Sequence, residues 1–343
     1  MSHANTARRW RRALFTAGKV LVSVSLLGLV VWRIGPARLR ESIVGANGWW
    51  LAAALSVFTL SNLLGALQWW MLLRARGICL PLRQVVGYYF VGLFFNNFLI
   101  GYVGGDAFRV VDAVRASGKP AEAMSAVLFD RLIGFATLTS VAVVAALMWH
   151  RYAGHATSLA VVLGVFALWL LVLLFFFSRR VAQPVVLVAN RILPLGFKNK
   201  ARQVYAQVND YRHGRLLLAQ VLGISLVVQV LRIAVHYLTA LAVGVRVSFA
   251  FFLVFVPIIA LLSSLPVSVG GIGVREQSGA LLFSQVGVPV PAAVAMQFLA
   301  YLVGVAATVP GGVILAVRRE QRVAKQHGVE LATPFPEGTK GGR

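Results

Sequence analysis

Seven charged residues stand within or at the edge of long apolar stretches: Asp106, Arg109, Asp130, Arg131, Arg232, Arg275 and Glu276. A charge at the centre of a bilayer-spanning helix costs about 2.5–3.5 kcal/mol on the insertion scale. Left alone, the set would cost roughly 20 kcal/mol, more than the margin of about 5–15 kcal/mol by which folds persist. These groups must pair, reach water or meet a charged ligand. Four are arginines and three are acids. The guanidinium fork suits phosphate, so the chemistry they point to is recognition of an anion. No His/Asp/Ser catalytic signature, metal-ligand cluster or phosphate-cradling Gly-x-x-x-x-Gly-Lys-Ser/Thr loop stands out. No catalytic residue, metal or cofactor is expected.

Spacing sorts the charges. Asp106, Arg109, Asp112 and Arg115 recur every three residues, so neighbours share a helix face with alternating sign and could form a self-neutralising ladder. Asp130 and Arg131 are adjacent and point about 100° apart, so neither is the other's main partner and one is available to a charge elsewhere. Arg232 and His236 are four apart and share a face of one apolar segment. Asn96, Asn97, Ser263 and Ser264 could donate hydrogen bonds to a ligand or cap broken helix ends.

A duplicated motif must position these groups. Val103-Gly104-Gly105-Asp106-Ala107-Phe108-Arg109 returns 166 residues later as Val269-Gly270-Gly271-Ile272-Gly273-Val274-Arg275. Each copy follows an apolar segment broken by small or polar residues, with Asn96, Asn97 and Gly101 before the first and Ser263, Ser264 and Pro266 before the second. Glycine permits turns that strain other residues. Non-helical backbone at membrane depth is tolerated only inside protein or beside a watery cavity. The sequence therefore predicts two broken-helix hairpins, about 84–118 and 249–286, whose arginines face a shared cavity. An anionic lipid headgroup would fit it, met also by the N-termini of the helices after the glycines.

Composition sets the frame. Of 343 residues 59% are hydrophobic and 13% charged, with a mean hydropathy of +0.80. That describes an all-α, polytopic membrane protein rather than a soluble domain. The net charge of +23 lies mostly between apolar spans, so it marks topology and not nucleic-acid binding. Full spans are expected at about 13–34, 49–73, 123–148, 156–178, 216–243 and 291–317. They fall into a basic cytoplasmic start (1–12), a first membrane repeat (13–178), a basic connector with an amphipathic surface helix (179–215), a second repeat (216–317) and a basic, partly disordered tail (318–343). With both termini inside, the hairpins enter from opposite faces as an inverted repeat, and the loop bearing Arg33, Arg38 and Arg40 falls outside. The single cysteine, Cys79, rules out an internal disulfide.

The motifs resemble the lysylphosphatidylglycerol synthase transmembrane-domain family, also called flippase-like or UPF0104. The first is similar to the family's Leu-Pro-x-Arg-x-Gly-Gly-Asp/Glu-x-x-Arg and stands here as Leu99 to Arg109, with Ile100 and Tyr102 as departures. Asp130-Arg131-Leu132-Ile133-Gly134 resembles its acidic-Arg-x-x-Gly pattern. The run from Leu265 to Glu276 is the closer match. The resemblance implies a domain of a bacterial cytoplasmic (inner) membrane that moves a lipid between leaflets, without the aminoacyl-transfer domain of the synthases. Its expected partners are an anionic phospholipid or polyprenyl-phosphate-type substrate, the surrounding membrane lipids, and lipid or glycan biosynthesis enzymes. An intramembrane enzyme acting on a lipid phosphate, or an accessory subunit of a synthase, are the alternatives.

Overall fold

A computed structural model describes residues 44–98, 103–153, 195–211, 214–264 and 271–326, with 40, 164, 166, 167, 170 and 171. The expected span at 13–34, nearly all of that at 156–178, and Pro266 and Gly270 lie outside the described residues. The described chain is all-helical: α1 (Gly48–Ala75), α2 (Leu82–Phe98), α3 (Val103–Ser117), α4 (Pro120–Ala153), α5 (Leu195–Asp210), α6 (Arg215–Ala242), α7 (Phe249–Ser264), α8 (Val274–Ser284) and α9 (Val290–Gln326).

Four helices are long and apolar enough to cross a bilayer: Gly48–Ala75, Pro120–Met148, Arg215–Ala242 and Val290–Arg318. Only 28–44% of their most apolar stretches is buried within the protein, so most of that surface is left for lipid chains. Val144, Leu147, Met148, Leu216 and Val313 are among the large apolar side chains turned outward. This is a polytopic, multi-pass membrane protein.

α1 and α6 form the most extensive pairing, and they run antiparallel. Asn47 N–H, at the start of α1, donates to Ala242 O at the end of α6 (2.8 Å). At the other end, Tyr211 Oη, just ahead of α6, donates to Leu72 O of α1 (2.9 Å). Each of these helices is followed by a shorter helix that folds back onto the next, α2 onto α3 and α7 onto α8, and then by a long helix, α4 or α9. Packing repeats with the order. Exchange α1 with α6, α2 with α7, α3 with α8 and α4 with α9, and each substantial pairing among them maps onto another that is present. Thus α2 lies on α9 as α7 lies on α4, and α1 touches α9 as α6 touches α4.

α5 stands outside this exchange and packs on α4. Its apolar face delivers Val204 and Val208 to a core built from α1 to α4 around Trp69, Leu72, Leu73 and Phe129. Arg76 fastens it there, bonding Asp210 (2.7 Å) and Gln207 (3.0 Å) with its guanidinium over the Tyr211 ring. A second core joins α4, α6, α7, α8 and α9 around Phe252, Phe255, Phe283 and Met296. Basic residues collect at the Tyr211 end of the bundle. There Arg318 of α9 pairs with Asp112 of α3 (3.3 Å) and Lys119 Nζ donates to Gly77 O (2.9 Å).

Candidate functional site: an arginine-lined cavity between the halves

Both cores stop short of the centre, where a cavity of about 260 Å³ opens between the two sets of helices. Arg131 of α4, Arg232 and His236 of α6 and Arg275 of α8 line it, together with Asp130, Asn96, Asn97 and Ser264. Three of the expected site residues, Asp106, Arg109 and Glu276, are not in its wall.

Arg109 is the clearest departure from the expectation that both hairpin arginines face the cavity. It is 2% exposed. Its guanidinium lies against the rings of both Trp69 (4.3 Å) and Tyr89 (4.5 Å), two contacts that suit a desolvated cation. It donates to Asp130 Oδ2 (2.9 Å) and to Asp106 Oδ1 (3.2 Å). Two carboxylates therefore neutralise it inside the protein, and no face remains for a ligand.

The adjacent pair on α4 divides as its geometry requires. Asp130 turns to Arg109, while Arg131 turns to Asp106, through Nε (2.6 Å) and Nη2 (2.9 Å). Asp106 and Arg109 bond within α3 as the three-residue spacing allows, but the ladder ends there, because Asp112 pairs with Arg318. Arg131 remains 30% exposed and so reaches the cavity with one edge of its fork. Gln68 of α1, a residue that the motifs did not point to, donates from Nε2 to Asp130 Oδ1 (2.8 Å). Each oxygen of Asp130 thus already holds a donor.

In the second half the motif position 166 residues on from Asp106 is Ile272, and Gln297 stands on α9 where Asp130 stands on α4. Arg275 lines the cavity with its guanidinium 5.3 Å from the centre of the Tyr301 ring. Arg232 makes no ion pair among the described residues, and its buried Nε has no hydrogen-bond partner. A half-buried guanidinium inside the bundle without an acid is costly, and an anion entering this space would relieve it. His236 Nδ1 meets Gln297 Oε1 at 2.8 Å, joining α6 to α9 as Gln68 joins α1 to α4. The partners stand 61 residues apart in one case and 62 in the other.

The other expected donors are largely committed to the frame. Asn96 Oδ1 accepts from Gly105 N (2.8 Å), and Asn97 Nδ2 donates to Thr308 Oγ1 of α9 (2.6 Å). Ser264 Oγ donates to Leu261 O in its own helix (2.7 Å). Glu276 is fully buried and accepts at Oε2 from Gly273 N (2.6 Å), which caps the start of α8. Gly271 and Gly273 have φ of +76° and +83°, a region that only glycine enters cheaply. Gly105 faces Gly92 and Asn96 so closely that a Cβ would strike the Gly92 carbonyl, and Gly104, beside it, lies in the first turn of the same helix. Sequence reasoning missed Asn62, Gln68, Gln229 and Tyr301 in the wall. Amide side chains inside apolar spans were the available signal for the first three.

A family model described as the lysylphosphatidylglycerol synthase TM region matches residues 16–312. The chain is similar to a UPF0104 membrane protein of Pyrococcus horikoshii, at 24% identity over 329 residues that cover 89% of this chain and 98% of the relative. With most of its length matched, and the glycine hairpins and acidic-arginine pair in place, the chain belongs to the lysylphosphatidylglycerol synthase transmembrane-region family.

Proposed function

We propose that this protein is a translocator of an anionic lipid, whose headgroup passes through the central cavity while its chains stay in the bilayer. The observation that carries the reading is the charge of the cavity wall. Arg131, Arg232 and Arg275 line it, Arg232 is without an acid among the described residues, and Asp130 is already engaged. Family membership supports a lipid role. The α2–α3 and α7–α8 pairs act as re-entrant hairpins of an inverted repeat. The antiparallel run of α1 and α6, equivalent in the packing scheme, supports that relation. Rocking of one half against the other would alternate access to the two faces. The basic end of the bundle, with Arg76, Lys119 and Arg318, faces the cytoplasm of a bacterial inner membrane. The driving force comes from an ion gradient, the membrane potential or the lipid's own imbalance.

The test uses pure protein in phosphatidylcholine vesicles with a trace of acyl-labelled phosphatidylglycerol, followed by quenching of the outer-leaflet label. Arg232→Gln and Arg275→Gln should each slow flipping about tenfold or more, the order expected for removing one charge-assisted bond to the headgroup. Full rates in both variants would sink the reading. Mass spectrometry of the same lipid separates transport from catalysis. An altered covalent structure would instead indicate an enzyme acting on the lipid.

A further inference from the structure

Most polar side chains of the cavity wall already have a partner in the protein. Gln229 Nε2 donates to Gly134 O (2.9 Å), and Asn96 Oδ1 accepts from Gly105 N (2.8 Å). The residues that take their places in the other half do not. Gln229 of α6 stands 167 residues on from Asn62 of α1, and Ser263 of α7 stands 167 residues on from Asn96 of α2. The packing exchange matches the same helices. Ser263 even keeps the glycine neighbour of Asn96, since a Cβ on Gly271, the motif counterpart of Gly105, would lie 2.8 Å from the Ser263 Cβ. Yet Asn62 Nδ2, Asn62 Oδ1 and Ser263 Oγ have no hydrogen-bond partner among the described residues. Asn62 is fully buried, Ser263 is 3% exposed, and both line the cavity. Buried polar atoms are nearly always satisfied, and leaving one unmade is costly. A leucine of similar size would fill the place of Asn62 without that cost.

We infer that Asn62, Ser263 and Arg232 form the contact site for the headgroup, and that the ligand is a phosphodiester carrying a hydroxyl or ammonium donor beyond the phosphate. This deepens the translocator proposal and rests on it. The unpartnered atoms set the chemistry. Arg232 Nε, Asn62 Nδ2 and the Ser263 hydroxyl are donors, which suit phosphate oxygens. Asn62 Oδ1 is an acceptor, which phosphate cannot satisfy but an O–H or N–H on the headgroup can. The three residues come from α1, α6 and α7 around one cavity, so a headgroup held by all of them spans the space between the two sets of helices. Asn96 and Gln229 spend the same chemistry on the frame, Asn96 within the first hairpin and Gln229 between α6 and α4.

The experiment titrates the full-length protein in detergent with two short-chain lipids, dihexanoyl phosphatidylglycerol and dihexanoyl phosphatidylmethanol, by calorimetry. Both carry one phosphodiester charge, and only the first has a donor beyond it. The wild type should bind phosphatidylglycerol about fivefold more tightly, the worth of one net hydrogen bond. Asn62→Leu should lose that difference, melt no lower than wild type, and flip labelled phosphatidylglycerol severalfold more slowly in the phosphatidylcholine vesicles. Ser263→Ala should weaken both lipids alike by about fivefold, because its hydroxyl meets the phosphate they share. Equal wild-type affinities for the two lipids overturn the inference. So does an Asn62→Leu protein that keeps the difference, which would assign the amide to water alone, or one that melts lower and still binds as wild type, which would assign it to the frame. If Asn62→Leu does not fold, unchanged binding by Ser263→Ala overturns the inference instead. In each of these cases the translocator reading stands as long as Arg232→Gln and Arg275→Gln slow flipping. A wild type that binds and moves neither lipid overturns that reading and this inference with it.

Discussion

Arg109 and Arg275 occupy the same place in a repeated motif, and their surroundings give them opposite duties. Burial against Trp69 and Tyr89, with Asp106 and Asp130 as partners, makes Arg109 part of the frame. Its removal should therefore harm folding as well as transport. Arg109→Ala leaves two acids partly uncompensated, and breaking a buried pair from one side costs about 3–5 kcal/mol. A melting temperature in detergent lowered by several degrees for Arg109→Ala, with Arg232→Ala close to wild type, is the expected pattern. The reverse order would show that Arg232 is the structural cation. Sequence alone marks all of these charges, because an ionised group amid apolar residues is conspicuous. Which of them meet is a different matter. Asp106 with Arg109 follows from spacing on one helix, whereas Gln68 and Trp69 reach the group from another span, so neither segment alone shows the contact. Asp130 and Arg131 show the middle case: their divergence is legible, and their separate partners are not.

At the scale of elements, the glycines matter more than the apolar pattern. The hairpins were legible because paired glycines and a charge interrupt two short apolar runs. The closeness of α2 to α9 was not. There Gly311 lies so near the backbone of α2 that an added Cβ would meet Phe90 O and come within 2.9 Å of Val91 N. Backbone cannot swing aside as a flexible side chain can. Gly311→Ala should thus cost about 1–3 kcal/mol through overpacking. Gly223, on the outward face of α6, has nothing within 4 Å of such a Cβ, and Gly223→Ala should change stability by less than about 0.5 kcal/mol. Thermal unfolding of the two variants beside wild type checks the contrast. Equal changes in the two variants would mean that the contact with α2 does not set the outcome. Pro310, Gly311 and Gly312 have low helix propensity, yet α9 continues through them, as the expected span at 291–317 does. Lost propensity is outweighed because small residues let α2 approach, and a single segment's preferences cannot reveal that.

For the molecule as a whole, the sequence exposed one repeated motif, while the folded chain repeats an entire packing scheme. Similarity in sequence is confined to the places where glycine or charge is required. Elsewhere many apolar residues fill the same role, so the correspondence of α1 with α6 leaves little imprint. The scheme also shows where the halves are joined. Asn97 of α2 bonds Thr308 of α9, linking the first hairpin to the second half. If transport needs relative movement there, Asn97→Cys with Thr308→Cys, in a chain with Cys79→Ser, should stop flipping when oxidised and regain it on reduction. Undiminished flipping by the fully cross-linked protein would mean that this seam stays closed throughout the cycle.

The matched frame encloses charges that do not match: Asp106 and Asp130 cover Arg109 in one half, while Arg275 of the other lines the cavity. The interior consequently has a front and a back. A copy inserted upside down would keep the same scaffold but offer the wrong half to each leaflet. On the translocator reading, whatever fixes insertion also decides which arginine a lipid encounters first.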